Sequence, residues 1–324
     1  MKAIVYTKYG SPDVLKLRDV EKPTPKDNEV LVKVFATPVT IGDVRLRKAD
    51  PFMARTFNGL VKPKRKILGM NFAGKIEATG KDVKQFNSGD KVFGSTTFEF
   101  GCYAEYLTIS EEGVITTMPS NISYEEAAAI PFGTITSLHF LKKGNIKKGQ
   151  KVLIYGASGS LGVAAVQLAK YFGAEVTGVC STANVELVKS LGANHVIDYT
   201  KKNFADQNQT YDIIYDTVGK SPFFDCLKKL NKNGIFLNAV HIPPFSIFKN
   251  LWMFMTGSKK IIGGISIEHK EDLDFIKKLF EEGKYKSVVD KCYPFEQIVD
   301  AHQYVDGGHK KGNVVITIEH NNKV

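Results

Sequence analysis

The sequence contains few cysteines and no apolar run that reaches membrane-spanning length. Its four cysteines, Cys102, Cys180, Cys226 and Cys292, are isolated and form no C-x-x-C pair. A disulfide framework is therefore not expected, and a reduced cytoplasmic setting is predicted. The most apolar stretch, residues 242–255, is interrupted by prolines and a lysine, so we expect no membrane span. We also expect no secretory signal, because the amino terminus alternates like a strand and lacks an apolar core.

Internal repeats and low-complexity segments are absent as well, and the composition is ordinary for a globular protein. With 324 residues, 43% of them hydrophobic and 24% charged, the chain is long enough for two domains with sizeable cores. The net charge is +10, and the densest basic run is KPKRK at residues 62–66. A nucleic-acid patch is possible in principle, but this run has no interleaved aromatic residues and lies between apolar segments. We expect a solvated loop there and no nucleic-acid partner.

What the chain does contain is a glycine-dense turn between a strand and a helix. Residues 151–162 read KVLIYGASGSLG and run directly into a helical pattern that Gly173 ends. Compared with the G-x-G-x-x-G pattern, the three positions are Ala157, Gly159 and Gly162, so alanine replaces the first glycine. A lone glycine pattern is weak evidence, but a strand before it and a helix after it predict a dinucleotide phosphate site.

The patterns on either side of this turn predict two domains. Residues 1–122 contain short strand-like segments separated by turn signals, which predicts a compact, mostly antiparallel β domain. Ser123, with Glu126 three residues later, predicts a capped helix that begins the second domain. Residues 123–267 alternate strands and helices, which predicts an α/β fold with a doubly wound parallel sheet. Residues 268–324 indicate helix, strand, helix and strand, and we expect them to return to the first domain.

The end of the second strand of the parallel sheet bears on the choice of nucleotide. NAD-binding folds place an acidic residue there for the ribose 2′-hydroxyl, but this strand is followed by Ser181, Thr182, Ala183 and Asn184. Hydroxyl and amide groups suit a 2′-phosphate better than a carboxylate does, which favours NADP(H). The alternative is that Ser181 and Asn184 only cap the following helix.

Several segments, in the right order, carry a resemblance to a known family that covers essentially the whole chain. They are GDKVFG, GCYAEYLTI, AAAIPFGTITSLHFL, GASGSLGVAAVQLAK, SLGANHVIDY and HKKGNVVITI. The chain resembles the medium-chain dehydrogenase/reductase superfamily, and within it the zinc-lacking quinone oxidoreductase branch. The resemblance implies a GroES-like β-rich catalytic domain, a Rossmann domain that binds NADPH, and a homodimer. An A-x-G-x-x-G turn also resembles this branch.

The resemblance makes the absence of metal ligands informative. Zinc-dependent members carry a cysteine in a C-x-x-D pattern and a histidine in a G-H-E pattern, where this chain has Thr40 and Met70. The glutamate of the second pattern is replaced by Asn71, and the four-cysteine lobe of many members is missing. Zinc requires three or four nitrogen, sulfur or oxygen ligands, so we expect no metal. Asp43 remains, and we expect it to form structural hydrogen bonds.

The family's cofactor contacts map onto individual residues of this chain. Thr136 matches a residue that approaches the nicotinamide, and Thr40 replaces a frequent asparagine there. Each polar member of the set has an alternative role as a cap or turn former. The implied cofactor-binding residues are Thr136, Ala157, Ser158, Gly159, Ser160, Leu161, Gly162, Ser181, Tyr199, Val218, Asn238 and Asn313.

Without a metal to polarise a simple alcohol, an already activated acceptor is the better substrate. We therefore expect NADPH-dependent hydride transfer to a quinone or an α,β-unsaturated carbonyl, with Thr40, Asn71 and Arg45 as candidate pocket residues. The alternative is an NADPH-binding protein with little turnover that is redox-responsive or associated with nucleic acid. A zinc alcohol dehydrogenase is disfavoured. The aromatic-rich residues 242–257 predict either a lid or pocket wall or a packing helix.

Overall fold

The computed structural model describes residues 1–240 and 259–320, apart from the side chain of Phe57. It divides into two compact units. The first contains Met1–Phe132, His269–Glu282 and Lys286–Val324, and the second contains Gly133–Glu268 and Gly283–Tyr285. The residues 242–257 predicted as a lid or packing helix lie outside the described residues.

The strands are β1 (Lys2–Val5), β2 (Lys16–Asp19), β3 (Glu29–Val39), β4 (Asn71–Thr79), β5 (Lys91–Ser95), β6 (Tyr106–Ser110), β7 (Val114–Thr117), β8 (Lys151–Tyr155), β9 (Glu175–Cys180), β10 (His195–Asp198), β11 (Tyr211–Asp216), β12 (Leu230–Asn238), β13 (Lys260–Gly263), β14 (Val289–Pro294) and β15 (Asn313–Thr317). The helices are α1 (Ile41–Lys48), α2 (Ala54–Asn58), α3 (Tyr124–Ala128), α4 (Pro131–Lys143), α5 (Ser160–Tyr171), α6 (Val185–Ser190), α7 (Phe223–Lys229), α8 (Lys270–Glu281) and α9 (Ile298–Asp306).

The first unit is built on a seven-stranded sheet in the order β14-β15-β3-β4-β5-β7, with β6 also paired to β3. Its strand pairs are antiparallel except β14 with β15. Strand β15 pairs with β3, so the end of the chain returns to the sheet formed by its beginning. The helix, strand, helix and strand predicted for this C-terminal part are present as α8, β14, α9 and β15.

The second unit is built on a six-stranded parallel sheet in the order β10-β9-β8-β11-β12-β13. This confirms the parallel α/β sheet predicted from the alternating pattern. The chain moves outward from β8 to β10 and then returns to the other side of β8 to form β11. The order therefore reverses between β8 and β11, which is the position where open α/β sheets bind ligands at their carboxyl ends.

The strand, turn and helix predicted around residues 151–162 are confirmed. Strand β8 buries Val152, Leu153 and Ile154 completely, as expected for a central parallel strand. Helix α5 follows after the turn, and its residues from Leu161 to Ala169 are all buried. The predicted stop at Gly173 has φ 78°, a left-handed conformation that glycine adopts readily.

Helix α3 confirms the predicted capping box. The Ser123 hydroxyl accepts from the Glu126 amide, and the Glu126 carboxylate accepts from the Ser123 amide. The domain boundaries given by the sequence remain predictions. The compact units divide between Phe132 and Gly133, so α3 lies in the first unit.

Candidate cofactor site

In the turn after β8, only the first residue, Gly156, has a backbone conformation that strongly favours glycine. Gly156 has φ 84°, and a Cβ there would lie 2.5 Å from a methyl group of Val218. The amides of Gly156 and Ala157 both donate to the carbonyl of Val179, which joins the turn to the neighbouring strand β9. Ala157 has no positive φ and is fully buried. The backbone conformation therefore requires glycine at Gly156 and not at position 157, which explains why alanine is accepted at the first place of the pattern.

The other two glycines of the turn serve different purposes. A Cβ on Gly162 would lie 2.1 Å from the carbonyl oxygen of Gly156, so this glycine lets α5 pack closely against the turn. Among the described residues, the atom nearest to a Cβ on Gly159 would be the Gly156 oxygen at 3.6 Å, and the backbone there (φ −80°) is open to any residue. The fold itself does not require glycine at position 159. The remaining reason is the close approach of a ligand to the backbone at the start of a helix, as a pyrophosphate requires.

The end of β11 is held against this turn. The Thr217 hydroxyl donates to the carbonyl of Tyr155 at 2.8 Å, and its amide donates to the same oxygen. The carboxylate of Asp216 accepts from the amides of Val218 and Gly219 and from both the amide and the hydroxyl of Ser221. The loop that contains the predicted Val218 is therefore fixed beside the glycine turn, at the point where the strand order reverses.

Asn238 lies at the same edge of the sheet as the turn. It ends β12 and is paired in register with Asp216 of β11 and Gly263 of β13. Its side-chain oxygen accepts from the Val240 amide at 3.0 Å. The carboxyl ends of β8, β11 and β12 therefore bring three of the predicted positions, in the turn, at Val218 and at Asn238, to one edge.

The residues after β9 do not act as helix caps. Ser181 and Asn184 occupy the N-cap positions of a short 3-10 turn and of α6, but neither side chain makes a capping hydrogen bond. The Asn184 amide group instead donates to the Ser158 hydroxyl at 3.1 Å and to the Ser181 hydroxyl at 3.2 Å. Burial raises the pKa of the Cys180 thiol, at the end of β9, to about 11, which leaves it unreactive at neutral pH.

A carboxylate does reach the end of β9, which the sequence pattern did not predict. Asp198 ends the neighbouring strand β10 and is paired in register with Cys180. Its oxygens accept from the hydroxyls of Thr182 at 2.6 Å and Thr200 at 2.7 Å. These hydrogen bonds hold the pKa of Asp198 below its ordinary value. The sequence signal for this carboxylate is the acidic residue that ends the HVID segment, but only the register of β10 against β9 places it beside Cys180.

Tyr199 and Thr136 also lie in the second unit. Tyr199 follows β10, and its amide donates to the Cys180 carbonyl while its side chain is exposed. Thr136 lies on α4, with its hydroxyl 3.3 Å from that of Ser266. Helix α4 packs on the start of α5, because the Ser137 hydroxyl donates to the Leu161 carbonyl at 2.9 Å.

The candidate pocket residues lie in the first unit, where Thr40 is committed to a capping box. Its hydroxyl donates to the Asp43 carboxylate at 2.6 Å and accepts from the Asp43 amide. Asp43 also accepts from the Gly69 amide at 3.0 Å, so it joins the start of α1 to the segment before β4. Burial raises the pKa of the Asp43 carboxyl, and the donors from Thr40 and Gly69 oppose that shift. The structural role expected for Asp43 is confirmed.

Asn71 and Arg45 differ from Thr40 in their surroundings. Asn71 begins β4 and is fully buried, and neither atom of its side-chain amide has a hydrogen-bond partner among the described residues. The backbone carbonyl of Asn71 accepts from the Thr37 hydroxyl at 2.8 Å. Arg45 is half-buried on α1, and burial lowers the pKa of its guanidinium group. A buried amide without a partner is unusual, which makes Asn71 the strongest polar candidate of this unit.

The residues at the zinc positions do not fit a zinc ion. Thr40 has its hydroxyl engaged by Asp43, Met70 offers a thioether, and Asn71 offers an uncharged amide. Zinc in proteins prefers thiolate, imidazole and carboxylate ligands. Among residues 1–240 and 259–320, moreover, no three His, Cys, Asp or Glu side chains are grouped so that they could hold a metal ion.

The remaining predicted residue and the basic run have local roles. Asn313 begins β15, and its side-chain amide donates to the Val288 carbonyl at 3.2 Å. Within the run at 62–66 the lysines and the arginine are exposed, and the Arg65 guanidinium lies 5.5 Å from the centre of the Phe100 ring. A helix long and apolar enough to cross a membrane is not found in the described part of the chain.

The sheet order, the glycine turn and the space in front of Gly159 define the second unit as a Rossmann dinucleotide-binding unit. Comparison with known families agrees with both units. An alcohol dehydrogenase GroES-like domain matches residues 26–120, and a zinc-binding dehydrogenase domain matches residues 191–316. The chain belongs to the medium-chain dehydrogenase/reductase superfamily, in its quinone oxidoreductase-like branch.

Relatives of known name support this assignment. The chain is 34% identical to a 2-methylene-furan-3-one reductase from Solanum lycopersicum, over 98% of this chain and 79% of the relative. It is 31% identical to an NADPH-dependent alkenal/one oxidoreductase from Arabidopsis thaliana, with the same coverage. The solved structure of the quinone oxidoreductase from Coxiella burnetii matches with a TM-score of 0.88 at 29% identity, over 98% of this chain and 99% of that one.

Proposed function

We propose that this protein is an NADPH-dependent reductase that transfers hydride, without zinc, to the activated double bond of an α,β-unsaturated carbonyl or to a quinone. The observation that carries the proposal is the glycine turn at the reversal of the sheet order, where the described residues leave space for a ligand beside Gly159. The named activities of the Solanum, Arabidopsis and Coxiella relatives support the choice of acceptor.

Bound NADPH would supply the hydride, and a proton from solvent would complete the reduction of the acceptor. The chain's own contribution is binding and orientation. Backbone amides of the turn from Ala157 to Gly162, at the start of α5, would hold the pyrophosphate. The hydroxyls of Ser158 and Ser181 would receive the 2′-phosphate. Val218 and Asn238 would border the dinucleotide at the ends of β11 and β12.

The acceptor must already be electrophilic, because the zinc positions offer no Lewis acid. Thr40, Met70 and Asn71 cannot polarise an alcohol as a zinc ion does. A hydrogen bond to the acceptor oxygen is then the help that a protein can give, and we propose for it the side-chain amide of Asn71, which has no partner among the described residues. No nucleophile is required by this chemistry.

The test follows oxidation of NADPH and NADH with a quinone, an enone and an aldehyde, and reduction of NADP+ and NAD+ with an alcohol, each with and without a chelator. We expect turnover with NADPH and either the enone or the quinone, and no effect of the chelator. Alcohol oxidation that the chelator abolishes would contradict the metal-free mechanism. Tight NADPH binding without turnover on any acceptor would instead support the alternative of a redox-responsive binding protein.

Two further properties belong to this proposal. We propose a homodimer, as the family resemblance implies, and sedimentation equilibrium would measure it. We also propose a cytoplasmic location, although the Arabidopsis relative is named as chloroplastic. Imaging of a tagged full-length protein would test the location.

A further inference from the structure

Asn184 joins the two loops that frame the adenosine end of the candidate cofactor site. Its side chain is 8% exposed, and its amide nitrogen donates to Ser158 in the glycine turn and to Ser181 after β9. These serines are far apart in sequence and follow adjacent parallel strands. A single amide therefore sets the position of one hydroxyl from each loop.

The direction of these hydrogen bonds leaves both serine protons available. A hydroxyl that accepts from an amide keeps its own hydrogen for another acceptor. Ser158 and Ser181 are half-buried, and neither hydroxyl donates to an atom of the described residues. Because both oxygens lie within 3.2 Å of the same nitrogen, one group with several acceptor oxygens, such as a phosphate, can receive both protons.

Asn184 is not explained by a structural role alone. It stands at the N-cap of α6 but makes no capping hydrogen bond, and its side-chain oxygen has no partner among the described residues. A structural asparagine buried to this extent is expected to satisfy both polar atoms. Here only the donor is used, and it is used on the two serines.

The charge near this pair is compatible with an anion. Residues 181–185 contain neither lysine nor arginine, so no cation in the loop replaces the hydroxyl donors. The nearby carboxylate of Asp198 is already engaged by Thr182 and Thr200, and the Lys201 ammonium lies 3.7 Å from it. Only 14% of the Asp198 side chain is exposed. It is thus not free to receive a ribose hydroxyl.

We propose, on the basis of the function proposed above, that Asn184 is a positioning residue that sets the preference for a 2′-phosphorylated dinucleotide. It acts through Ser158 and Ser181 by turning their hydroxyl protons toward the 2′-phosphate. In this chain, two aligned neutral donors do the work for which a lysine or arginine is the simpler solution.

The experiment compares the binding of 2′,5′-ADP and 5′-ADP to the full-length protein by calorimetry. Asn184→Ala should weaken 2′,5′-ADP about tenfold and 5′-ADP less than about twofold, since loss of one or two aligned hydrogen bonds to a charged group is of that size. Asn184→Asp keeps the shape but accepts the serine protons, so it should weaken 2′,5′-ADP further. Asn203→Ala is the matched control, because Asn203 caps a 3-10 turn in the same unit by accepting from Ala205.

A second comparison tests whether Asn184 acts through the serines. In a protein that carries Ser158→Ala and Ser181→Ala, adding Asn184→Ala should change the affinity for 2′,5′-ADP less than about twofold. A full tenfold further loss would overturn the proposal, since Asn184 would then contact the ligand by itself. Equal weakening of both nucleotides by Asn184→Ala would also overturn it, and the proposed reductase function would stand. If the unaltered protein bound neither 2′,5′-ADP nor NADPH, the proposed function itself would fail.

Discussion

Two sets of polar side chains, one in each unit, differ in how many hydrogen bonds they form. At the strand ends of the second unit, Asp216 accepts four hydrogen bonds and Asp198 accepts from two threonine hydroxyls. In the first unit, Arg47, Asn71 and His302 are fully buried, yet each has side-chain polar atoms without partners among the described residues.

This difference indicates where each unit can tolerate change. A carboxylate that receives several donors fixes the loops around it, so the edge of the second unit is preorganised for a ligand. Unpartnered buried groups lower the stability of the unit that contains them, and they are retained where packing compensates or where function needs them. Substitutions in each unit test this contrast.

The largest effect is expected in the glycine turn, where close packing requires glycine at position 162 but not at position 159. Gly162→Ala places a Cβ 2.1 Å from the Gly156 carbonyl oxygen, so the helix or the turn must move. We expect NADPH binding to fall by about a hundredfold or more and the unfolding free energy to fall by about 3 kcal/mol, as for strong overpacking. Calorimetry with NADPH and urea denaturation measure the two quantities.

Gly159→Ala is the matched control for that variant. Among the described residues, the atom nearest to its Cβ is the Gly156 oxygen at 3.6 Å, so the unfolding free energy should change by less than about 1 kcal/mol. Binding of NADPH should still weaken, because the added methyl lies where the ligand approaches the backbone. If Gly159→Ala bound NADPH normally, the turn would not be the pyrophosphate site.

The second prediction concerns the ion pair in the first unit. Arg47 is fully buried, and its guanidinium lies 3.2 Å from the Asp306 carboxylate. Asp306→Asn removes the charge that pairs with this buried cation, so the unfolding free energy should fall by about 3 kcal/mol. Urea denaturation at neutral pH measures it.

Lys48 provides the control for this pair, because it contacts the same carboxylate from a side chain that is 38% exposed. Lys48→Ala should cost no more than about 1 kcal/mol, as is usual for exposed ion pairs. If Asp306→Asn and Lys48→Ala lowered the unfolding free energy equally, the burial of Arg47 would not add to the stability that its ion pair provides.

The features that the sequence could predict are those that depend on local patterns or on a general rule of the fold. The parallel sheet, the turn and the capping box at Ser123 depend on local patterns, so residues near one another in the chain were sufficient to predict them. The second unit also follows a general rule, in which parallel strands bring their carboxyl ends to one edge, and Val218 and Asn238 lie at that edge. Their contact with a cofactor stays a prediction.

What the sequence could not predict depends on register and on long-range pairing. Asp198 reaches the end of β9 only because β10 pairs alongside it, and Asn184 binds two serines rather than capping α6. The buried pair of Arg47 and Asp306 joins residues 259 positions apart in the chain. Such contacts leave no periodic signal, since each is a meeting of two side chains that only the folded chain brings together.

The third prediction concerns the pH dependence of stability in the first unit. His302 is fully buried with its ring edge-to-face against Tyr103, and burial, with the Arg47 charge, lowers its pKa to about 3. The fold therefore favours the neutral ring. Its contribution to stability is complete above the unfolded pKa of about 6.5 and is lost as the pH falls toward 3. Between pH 7 and pH 5 this amounts to about 2 kcal/mol.

The test is urea denaturation at pH 7, 6 and 5. His302→Phe keeps an aromatic ring against Tyr103 and removes the titration, so its stability should change less over this range than that of the unaltered protein. His309→Gln, at an exposed position, is the control and should leave the pH dependence as it was. If the unfolding free energy of His302→Phe changed with pH as much as that of the unaltered protein, groups other than His302 would cause the pH dependence.

The smallest effect on stability is expected at Asn71, whose side-chain amide is also the group that we propose to hydrogen-bond the acceptor oxygen. Both polar atoms of its buried amide lack partners among the described residues, so Asn71→Leu, of similar volume, removes a desolvated group without breaking a side-chain hydrogen bond. The unfolding free energy should rise by about 1 kcal/mol, while kcat with an enone should fall about tenfold if the amide assists the acceptor oxygen. The affinity for NADPH should not change, because Asn71 belongs to the first unit and the proposed phosphate contacts to the second. A stabilised variant with full activity would show that the unpartnered amide is tolerated by packing alone, and a destabilised one would show that Asn71 has a structural partner.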